Sequence, residues 1–169
     1  MTSKLVAFYK GNGTDARGRT IDQIWSMSLD ALEYTHDYIQ WLFPLRERSS
    51  VQPLTPTLDD ATTIAFQTPE MQERLVRSTE TMAAFYGFQI LRDTDVWRVD
   101  LSATAAARQS VWLTPGNHNF LRHTRIMKSL AILGHGDLST AWLKALQEIY
   151  DRHASVIGAR TLHFWETAR

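Results

Sequence analysis

Residues 33–45 read Glu-Tyr-Thr-His-Asp-Tyr-Ile-Gln-Trp-Leu-Phe-Pro-Leu and concentrate aromatic, acidic and histidine side chains directly before a proline. Ser28 precedes this stretch at a position suited to a helix N-cap, and Asp30 follows in the first turn, where an acidic residue is favourable. Pro44 ends the pattern, because the residue before a proline avoids the helical region. The stretch therefore predicts one continuous helix from about residue 28 to residue 43.

Further helix signals lie on both sides of this stretch. Thr20 can cap a short helix, and Thr57 is predicted to begin another with Ile64 directed inward. Thr68-Pro69 is a strong helix start, and Gly87 is a typical residue for the end of that helix. Four more helices are predicted at residues 102–112, at 118–133, from Asp137 onward, and at 155–167.

Residues 88–91 and 96–99 flank the turn-forming segment 92–95, and this pattern allows one small β-hairpin near residues 88–99. The pattern as a whole predicts an all-α fold, a compact orthogonal bundle of six to eight helices. At 169 residues, the chain has the size of one domain, so a single domain over residues 1–169 is expected.

Composition excludes several classes of protein. Eighteen basic and eighteen acidic residues cancel, so no net positive charge favours a nucleic-acid partner. The chain has no cysteine, which excludes disulfides and thiolate metal sites and fits a cytoplasmic location. No stretch reaches the roughly 18 to 20 apolar residues that a membrane span requires, so no transmembrane segment is expected.

Two stripes of polar residues are the candidate site. Glu33, His36, Asp37 and Gln40 would share one face of the predicted 28–43 helix, because they are spaced at three and four residues. The second stripe, on the predicted 118–133 helix, is formed in the same way by His118, Arg122, Arg125 and Ser129.

If the stripes meet, Glu33 or Asp37 would pair with Arg122 or Arg125. Two interpretations stay open: a buried ion-pair network that fixes helix packing, or an arginine that binds a carboxylate or phosphate.

Metal and catalytic chemistry have weaker support. Glu33-x-x-His36 is a single motif, whereas carboxylate-bridged metal sites need two such motifs, so neither a metal nor another cofactor is expected. No Gly-x-Ser-x-Gly motif occurs, and a mid-helix serine such as Ser78 normally bonds back to a carbonyl. An acid–base pair, His36 with Asp37 or His118 with Glu33, leaves a small-molecule enzyme open as an alternative.

Four segments of the sequence, in this order and spacing, resemble the conserved domain of the opioid growth factor receptor family. They are Phe8-Tyr9 with Gly18-Arg19 and Ile24-Trp25, then 32–44 with His36-Asp37-Tyr38-Ile39-Gln40-Trp41-Leu42-Phe43-Pro44, then Leu75 to Phe85-Tyr86-Gly87, and finally Asn119 to Leu133-Gly134. His123 departs from the pattern, which has an apolar residue there.

The resemblance implies a ligand-binding role. Animal members are described as binding the enkephalin pentapeptide, associating with membranes or the nuclear periphery, and restraining proliferation. A bare domain of this size resembles a minimal, bacterial-type member. The transferable part is a site for a small peptide or an anionic ligand. In that site, Arg122 and Arg125 would bind a carboxylate, and Glu33 or Asp37 would bind an amine. An apolar wall would be formed by Trp41, Tyr38 and Tyr86. The flanking polar groups would be His36, Gln40 and His118.

Two alternatives remain. The first is a protein-interaction module that docks a partner through an exposed Trp41-Leu42-Phe43-Pro44 edge. The second is a small-molecule enzyme that uses the same histidine, carboxylate and arginine residues. No nucleic-acid partner is expected, and peripheral membrane association is suggested by the resemblance alone.

Overall fold

The computed structural model describes residues 3–49 and 55–168. The elements are α1 (Lys4–Tyr9), α2 (Ile21–Trp25), α3 (Leu29–Tyr34), α4 (Ile39–Leu42), α5 (Asp60–Ala65), α6 (Pro69–Tyr86), β1 (Phe88–Asp93), β2 (Val96–Leu101), α7 (Ala105–Trp112), α8 (Asn119–Ile132), α9 (Gly136–Ile157) and α10 (Ala159–Glu166). The predicted class is confirmed: the fold is mainly α-helical with one small hairpin. The described residues form ten helices rather than six to eight, since several are only one or two turns long.

The chain divides into two compact units, Met1–Thr81 and Met82–Arg169, with the boundary inside α6. The first unit contains α1 to α5 and most of α6. The second contains the end of α6, the hairpin and α7 to α10. The single domain expected over residues 1–169 stays a prediction.

The first unit is centred on the aromatic residues of α1. The rings of Phe8 and Trp41 lie 5.2 Å apart, and those of Tyr9 and Phe66 lie 4.6 Å apart, both edge to face. The buried Tyr9 hydroxyl also donates a hydrogen bond to the carbonyl of Leu42. Because edge-to-face aromatic pairs stabilise beyond their buried area, these contacts hold α1 and α4 in place.

The predicted continuous helix at 28–43 is wrong. It begins as predicted, with the Ser28 hydroxyl accepting from the Ala31 amide at 3.1 Å. However, α3 ends at Tyr34, and Thr35 is extended with φ −100° and ψ 127°. The chain re-enters a helix only at Ile39, after Tyr38 has turned inward to donate from its hydroxyl to the Leu32 carbonyl at 3.0 Å. This buried tyrosine replaces helical hydrogen bonds with a tertiary one.

The start of α5 also differs from the prediction. The helix begins at Asp60 rather than at Thr57, because the Asp59 carboxylate accepts from the Thr62 amide at 2.7 Å. Aspartate is among the strongest N-cap residues. Ile64, predicted to face inward, is 70% exposed.

Helix α6 begins at Pro69 and ends before Gly87, as predicted. Its last two carbonyls are capped by α7, since Arg108 Nε donates to the Phe85 oxygen at 2.7 Å and Trp112 Nε1 donates to the Tyr86 oxygen at 3.1 Å. Gly87 has φ +78°, and a β-carbon there would lie 2.6 Å from the Ala105 Cα. Glycine is therefore required both by the backbone conformation and by the close approach of α7.

The predicted hairpin is present in the second unit. β1 and β2 pair antiparallel from Phe88↔Leu101 to Asp93↔Val96, and residues 94–95 form the turn. Thr94 has φ +54°, a conformation that is unusual for a β-branched residue. Strand β2 packs on α9, which also contacts α8 and α10.

Helix α9 begins at Gly136, and Asp137 lies in its first turn without acting as the predicted cap. The last helix is shorter than predicted, since residues 155–157 belong to α9 and Gly158 separates it from α10. Among the described helices, none is long and apolar enough to cross a membrane.

Candidate functional site

The first unit contains an open pocket of about 730 Å³ beside Trp41. Lys4 and Ala7 of α1 form one side, the loop at 13–16 forms another, and Trp41 and Pro56 complete the lining. The indole of Trp41 is held against Phe8 and is only 4% exposed. Trp41 therefore forms part of the pocket lining, and its predicted role in an apolar wall for a ligand stays a prediction.

Gly13 lets the pocket loop lie directly on α1. A β-carbon at this position would be 2.9 Å from the Ala7 carbonyl carbon and 2.9 Å from the Phe8 nitrogen. Real β-carbons do not approach backbone atoms that closely, so another residue would push the loop away from the helix and alter the pocket.

Asp37 is the predicted site residue with the most clearly defined contacts. Its carboxylate accepts from Arg19 Nη2 at 2.6 Å and from Arg17 Nε at 2.9 Å. Burial alone would raise the pKa of Asp37, but the hydrogen bonds and charges of Arg19 and Arg17 outweigh it and hold the pKa below its ordinary value. Asp37 therefore stays ionised well into the acidic range.

Arg19 extends this ion pair into a network with Asp15. The Asp15 carboxylate accepts from Arg19 Nε at 2.6 Å and from the backbone amides of Arg17 and Arg19 at 2.8 and 2.9 Å. Its side chain is fully buried, so these hydrogen bonds satisfy a charge that water does not reach. The network fixes the loop that forms one side of the pocket.

Gln40 and Trp41 are both buried on α4, but only the indole lines the pocket. Gln40 is 6% exposed, and its amide oxygen accepts no hydrogen bond within residues 3–49 and 55–168. Glu33 is half-buried near the end of α3, and His36 is exposed in the break between α3 and α4. Because the helix is interrupted there, the predicted stripe does not form on one helical face. The residues of that stripe are Glu33, His36, Asp37 and Gln40.

The stripe on the second unit does lie on one helix. Arg122, Arg125 and Ser129 are all within α8, and His118 immediately precedes it. Their exposure differs, however: Arg122 and Ser129 are buried, Arg125 is half-buried and His118 is exposed. The predicted meeting of this stripe with Glu33 or Asp37 stays a prediction.

Arg122 lies within a polar cluster of the second unit. Its Nη1 donates to the Asn119 side-chain oxygen at 3.2 Å, and that oxygen also accepts from the Tyr86 hydroxyl at 3.2 Å. The Asn119 amide nitrogen in turn donates to the Asn117 side chain at 3.0 Å. Tyr86, predicted as part of an apolar wall, is fully buried and thus orients the arginine through Asn119.

His123, where the resemblance predicts an apolar residue, is enclosed by aromatic rings. Its ring lies 3.9 Å from that of Tyr86 and 4.9 Å from that of Trp112, and its Nδ1 accepts from Trp142 Nε1 at 3.1 Å. Burial, and secondarily the charge of Arg122, lower the pKa of His123 to about 3. The histidine is therefore neutral at neutral pH, and its proton lies on Nε2.

Sequence reasoning missed Lys4, Asp15, Arg17 and Arg19 as residues of the site region. The segment 10–20 contains three glycines and has no helical pattern, and the spacing Asp15-x-Arg17-x-Arg19 is the available signal. Lys4 was overlooked because α1 itself was not predicted. Among the described residues, no group of three or more histidine, aspartate or glutamate side chains is arranged to hold a metal ion.

The predicted docking edge is wrong. Trp41, Leu42, Phe43 and Pro44 are all buried, because α4 packs against the aromatic residues of α1. An edge that lies inside the first unit cannot present an apolar surface to a partner.

A family model for the opioid growth factor receptor (OGFr) conserved region matches residues 6–168, nearly the whole chain. The chain belongs to the opioid growth factor receptor family. The human opioid growth factor receptor is 41% identical over 112 residues, which is 66% of this chain and 16% of the receptor. The rat receptor is 40% identical over 136 residues, or 76% of this chain and 23% of the receptor.

A second branch of the opioid growth factor receptor family is also similar. Opioid growth factor receptor-like protein 1 of Xenopus tropicalis is 33% identical over 140 residues, which is 78% of this chain and 26% of that protein. The matches thus span only about a sixth to a quarter of these relatives. No solved structure matches the chain.

Proposed function

We propose that this domain binds a small peptide or an anionic small molecule through polar residues, and each unit supplies a candidate binding surface of its own. The observation that carries the proposal is the pocket whose lining includes both the predicted wall residue Trp41 and the cationic residue Lys4. An apolar aromatic wall with one nearby cation suits a ligand that combines an apolar group with a carboxylate or phosphate.

Lys4 is the anion-binding residue in this proposal. It is exposed and makes no ion pair or hydrogen bond within the described residues. Asp15 also lines the pocket, but its carboxylate already accepts three hydrogen bonds from Arg17 and Arg19 and lies in an ion pair with Arg19 Nη2. The carboxylate therefore supports the loop, and among the described lining residues Lys4 supplies the accessible charge.

In the second unit, Arg122 and Arg125, with His118 one turn before them, form a separate candidate anion site in the proposal. An arginine guanidinium matches the geometry of carboxylate and phosphate. Arg125 is the better candidate, because it is half-buried whereas Arg122 is buried. Family membership supports a ligand-binding role in general, since the human relative is named as a receptor.

The first experiment is native mass spectrometry of the purified protein, with the denatured mass as control. We expect an added mass that is lost on denaturation, and its identity would distinguish a peptide from a metabolite. The second is calorimetric titration with a short peptide that ends in phenylalanine and has a free carboxylate. Lys4→Gln should weaken its binding about two- to fivefold, the range of an exposed ion pair.

Lys10→Gln is the matched control for this titration, because Lys10 is also exposed and lies outside the pocket lining. Arg125→Ala, compared with Arg152→Ala on the exposed side of α9, tests the second unit in the same way. A bare native mass together with no peptide or phosphate binding would contradict the proposal. Equal binding by all four variants would show that the anion lies elsewhere.

A further inference from the structure

A second cavity lies entirely within the second unit, between the start of β2 and the first turns of α9. It is an open groove of about 220 Å³. The side chains that matter for its chemistry are Asp95, Trp97, Asp137, Thr140 and Lys144. None of them belongs to the sites considered above.

One face of α9 forms the floor of this groove. Asp137, Thr140 and Lys144 are spaced at three and four residues and thus lie in one row along the helix. The Thr140 hydroxyl donates to the Gly136 carbonyl at 3.0 Å. The groups of the row that are left for a ligand are the carboxylate of Asp137 and the ammonium group of Lys144. Seven residues of helix separate them, or about 10 Å at 1.5 Å per residue.

Both charges at the ends of the row lack an ionic partner. Asp137 and Lys144 are exposed, and neither makes an ion pair or side-chain hydrogen bond within the part of the chain that the structure describes. Asp95 also lines the groove, and its ion-pair contact within the described residues is a long one, 3.7 Å to Arg92 Nη2. The groove is therefore acidic at one end and basic at the other.

Trp97 provides an ordered apolar surface in the groove. The Arg92 guanidinium lies 4.9 Å from its ring centroid, and the ring of His135 meets it edge to face at 6.0 Å. These contacts hold the indole in place. The Trp97 side chain therefore loses little conformational entropy when an apolar group packs on it.

We propose that this groove binds a dipolar small molecule, with an ammonium group at Asp137 and a carboxylate at Lys144. An apolar side chain of the ligand would pack on Trp97. A free tripeptide matches the spacing, because three extended residues span about 10 Å. The site uses neither Lys4 nor Arg125, so it is independent of the function proposed above.

The test is an NMR titration with the tripeptide Ala-Phe-Ala, followed at the Trp97 indole resonance, which Trp97→Phe assigns. The tripeptide is used with free termini, with an acetylated N-terminus and with an amidated C-terminus. Asp137→Asn should weaken binding of the free tripeptide about two- to fivefold and leave the acetylated form unchanged. Lys144→Gln should weaken binding of the free tripeptide to a similar degree and leave binding of the amidated form unchanged. The substitution and the amidation remove the same ion pair, so their effects should not add.

Glu148→Gln is the control, since Glu148 is exposed on α9 and lies outside the groove lining. It should leave all three affinities unchanged. A Trp97 resonance that shows no saturable shift would overturn the proposal. The proposal would also be overturned if acetylation and Asp137→Asn weakened binding additively, because the peptide ammonium group and Asp137 would then not form an ion pair. Binding that responds only to Lys4→Gln would overturn the groove while supporting the pocket of the first unit.

Discussion

Asp37 and Gln40 lie three residues apart, and their environments are opposite. The Asp37 carboxylate is matched by two arginines, whereas the buried side-chain oxygen of Gln40 accepts no hydrogen bond from the described residues. Buried polar groups are normally satisfied, because their loss of hydration is otherwise uncompensated. Gln40 is therefore the residue of the candidate site whose stability effect is easiest to predict.

Gln40→Met should stabilise the ligand-free protein by about 1 kcal/mol. Methionine has a similar volume and shape but no polar group to desolvate. The measurement is the free energy of unfolding in urea. Gln89→Met, at an exposed position of β1, is the control and should change stability little. A marked loss of stability in Gln40→Met would show that the amide has a partner, such as an ordered water.

At the scale of single residues, sequence could identify candidates but not their partners. Ionisable side chains were found from spacing along a helix that the structure interrupts. The arginines that bind Asp37 come from a glycine-rich loop some 20 residues earlier in the chain, and helical spacing contains no information about such contacts.

Short elements follow their local signals closely. Thr20 and Ser28 cap α2 and α3 as predicted, and Pro69 begins α6. The failure at 28–43 has a tertiary cause, since the inward turn of Tyr38 is favourable only when the rest of the unit surrounds it. Propensity is a weak guide wherever such burial competes with it.

The hairpin turn gives a prediction at this scale. Thr94→Gly should stabilise the protein by about 0.5–1 kcal/mol, because glycine adopts φ +54° without the strain that a β-branched residue has there. Thermal unfolding measures the effect.

Thr104→Gly is the comparison, since Thr104 has φ −93° and gains no relief from the same change. That variant should lose stability. A loss of stability in Thr94→Gly as well would mean that the turn is not strained.

For the molecule as a whole, His123 and Asp37 predict sensitivity to acid. The pKa of His123 is about 3 in the folded state and near 6.5 in the unfolded chain, so only the unfolded chain binds this proton between those values. The free energy of unfolding should therefore fall as pH drops below 6.5, by up to about 1.4 kcal/mol per pH unit. The depressed pKa of Asp37 acts in the same direction, but only near and below its ordinary value of 3.8.

Urea unfolding at several pH values between 7 and 4.5 tests this prediction. His123→Phe keeps a ring among the aromatics and should give a flatter pH dependence, even if the lost acceptor for Trp142 lowers its stability throughout. His163→Gln, at an exposed position, should retain the slope of the natural chain. The same slope in His123→Phe would assign the acid sensitivity to other groups.

The family and the helical class were accessible from sequence because both depend on patterns that are local and ordered along the chain. Division into two units was not accessible, since it reflects which distant segments pack together. The pocket beside Trp41 escaped prediction for the same reason: it requires α1, a loop and α4 to meet.

The six tryptophans of the chain give it a set of natural optical probes. Trp25 and Trp41 belong to the first unit, and the second contains Trp97, Trp112, Trp142 and Trp165. Trp25 is marked by the Arg77 guanidinium 4.2 Å from its ring centroid, whereas Trp112, Trp142 and Trp165 surround His123. Fluorine-labelled indoles would therefore resolve the two units in one spectrum and show whether both signals disappear at the same denaturant concentration.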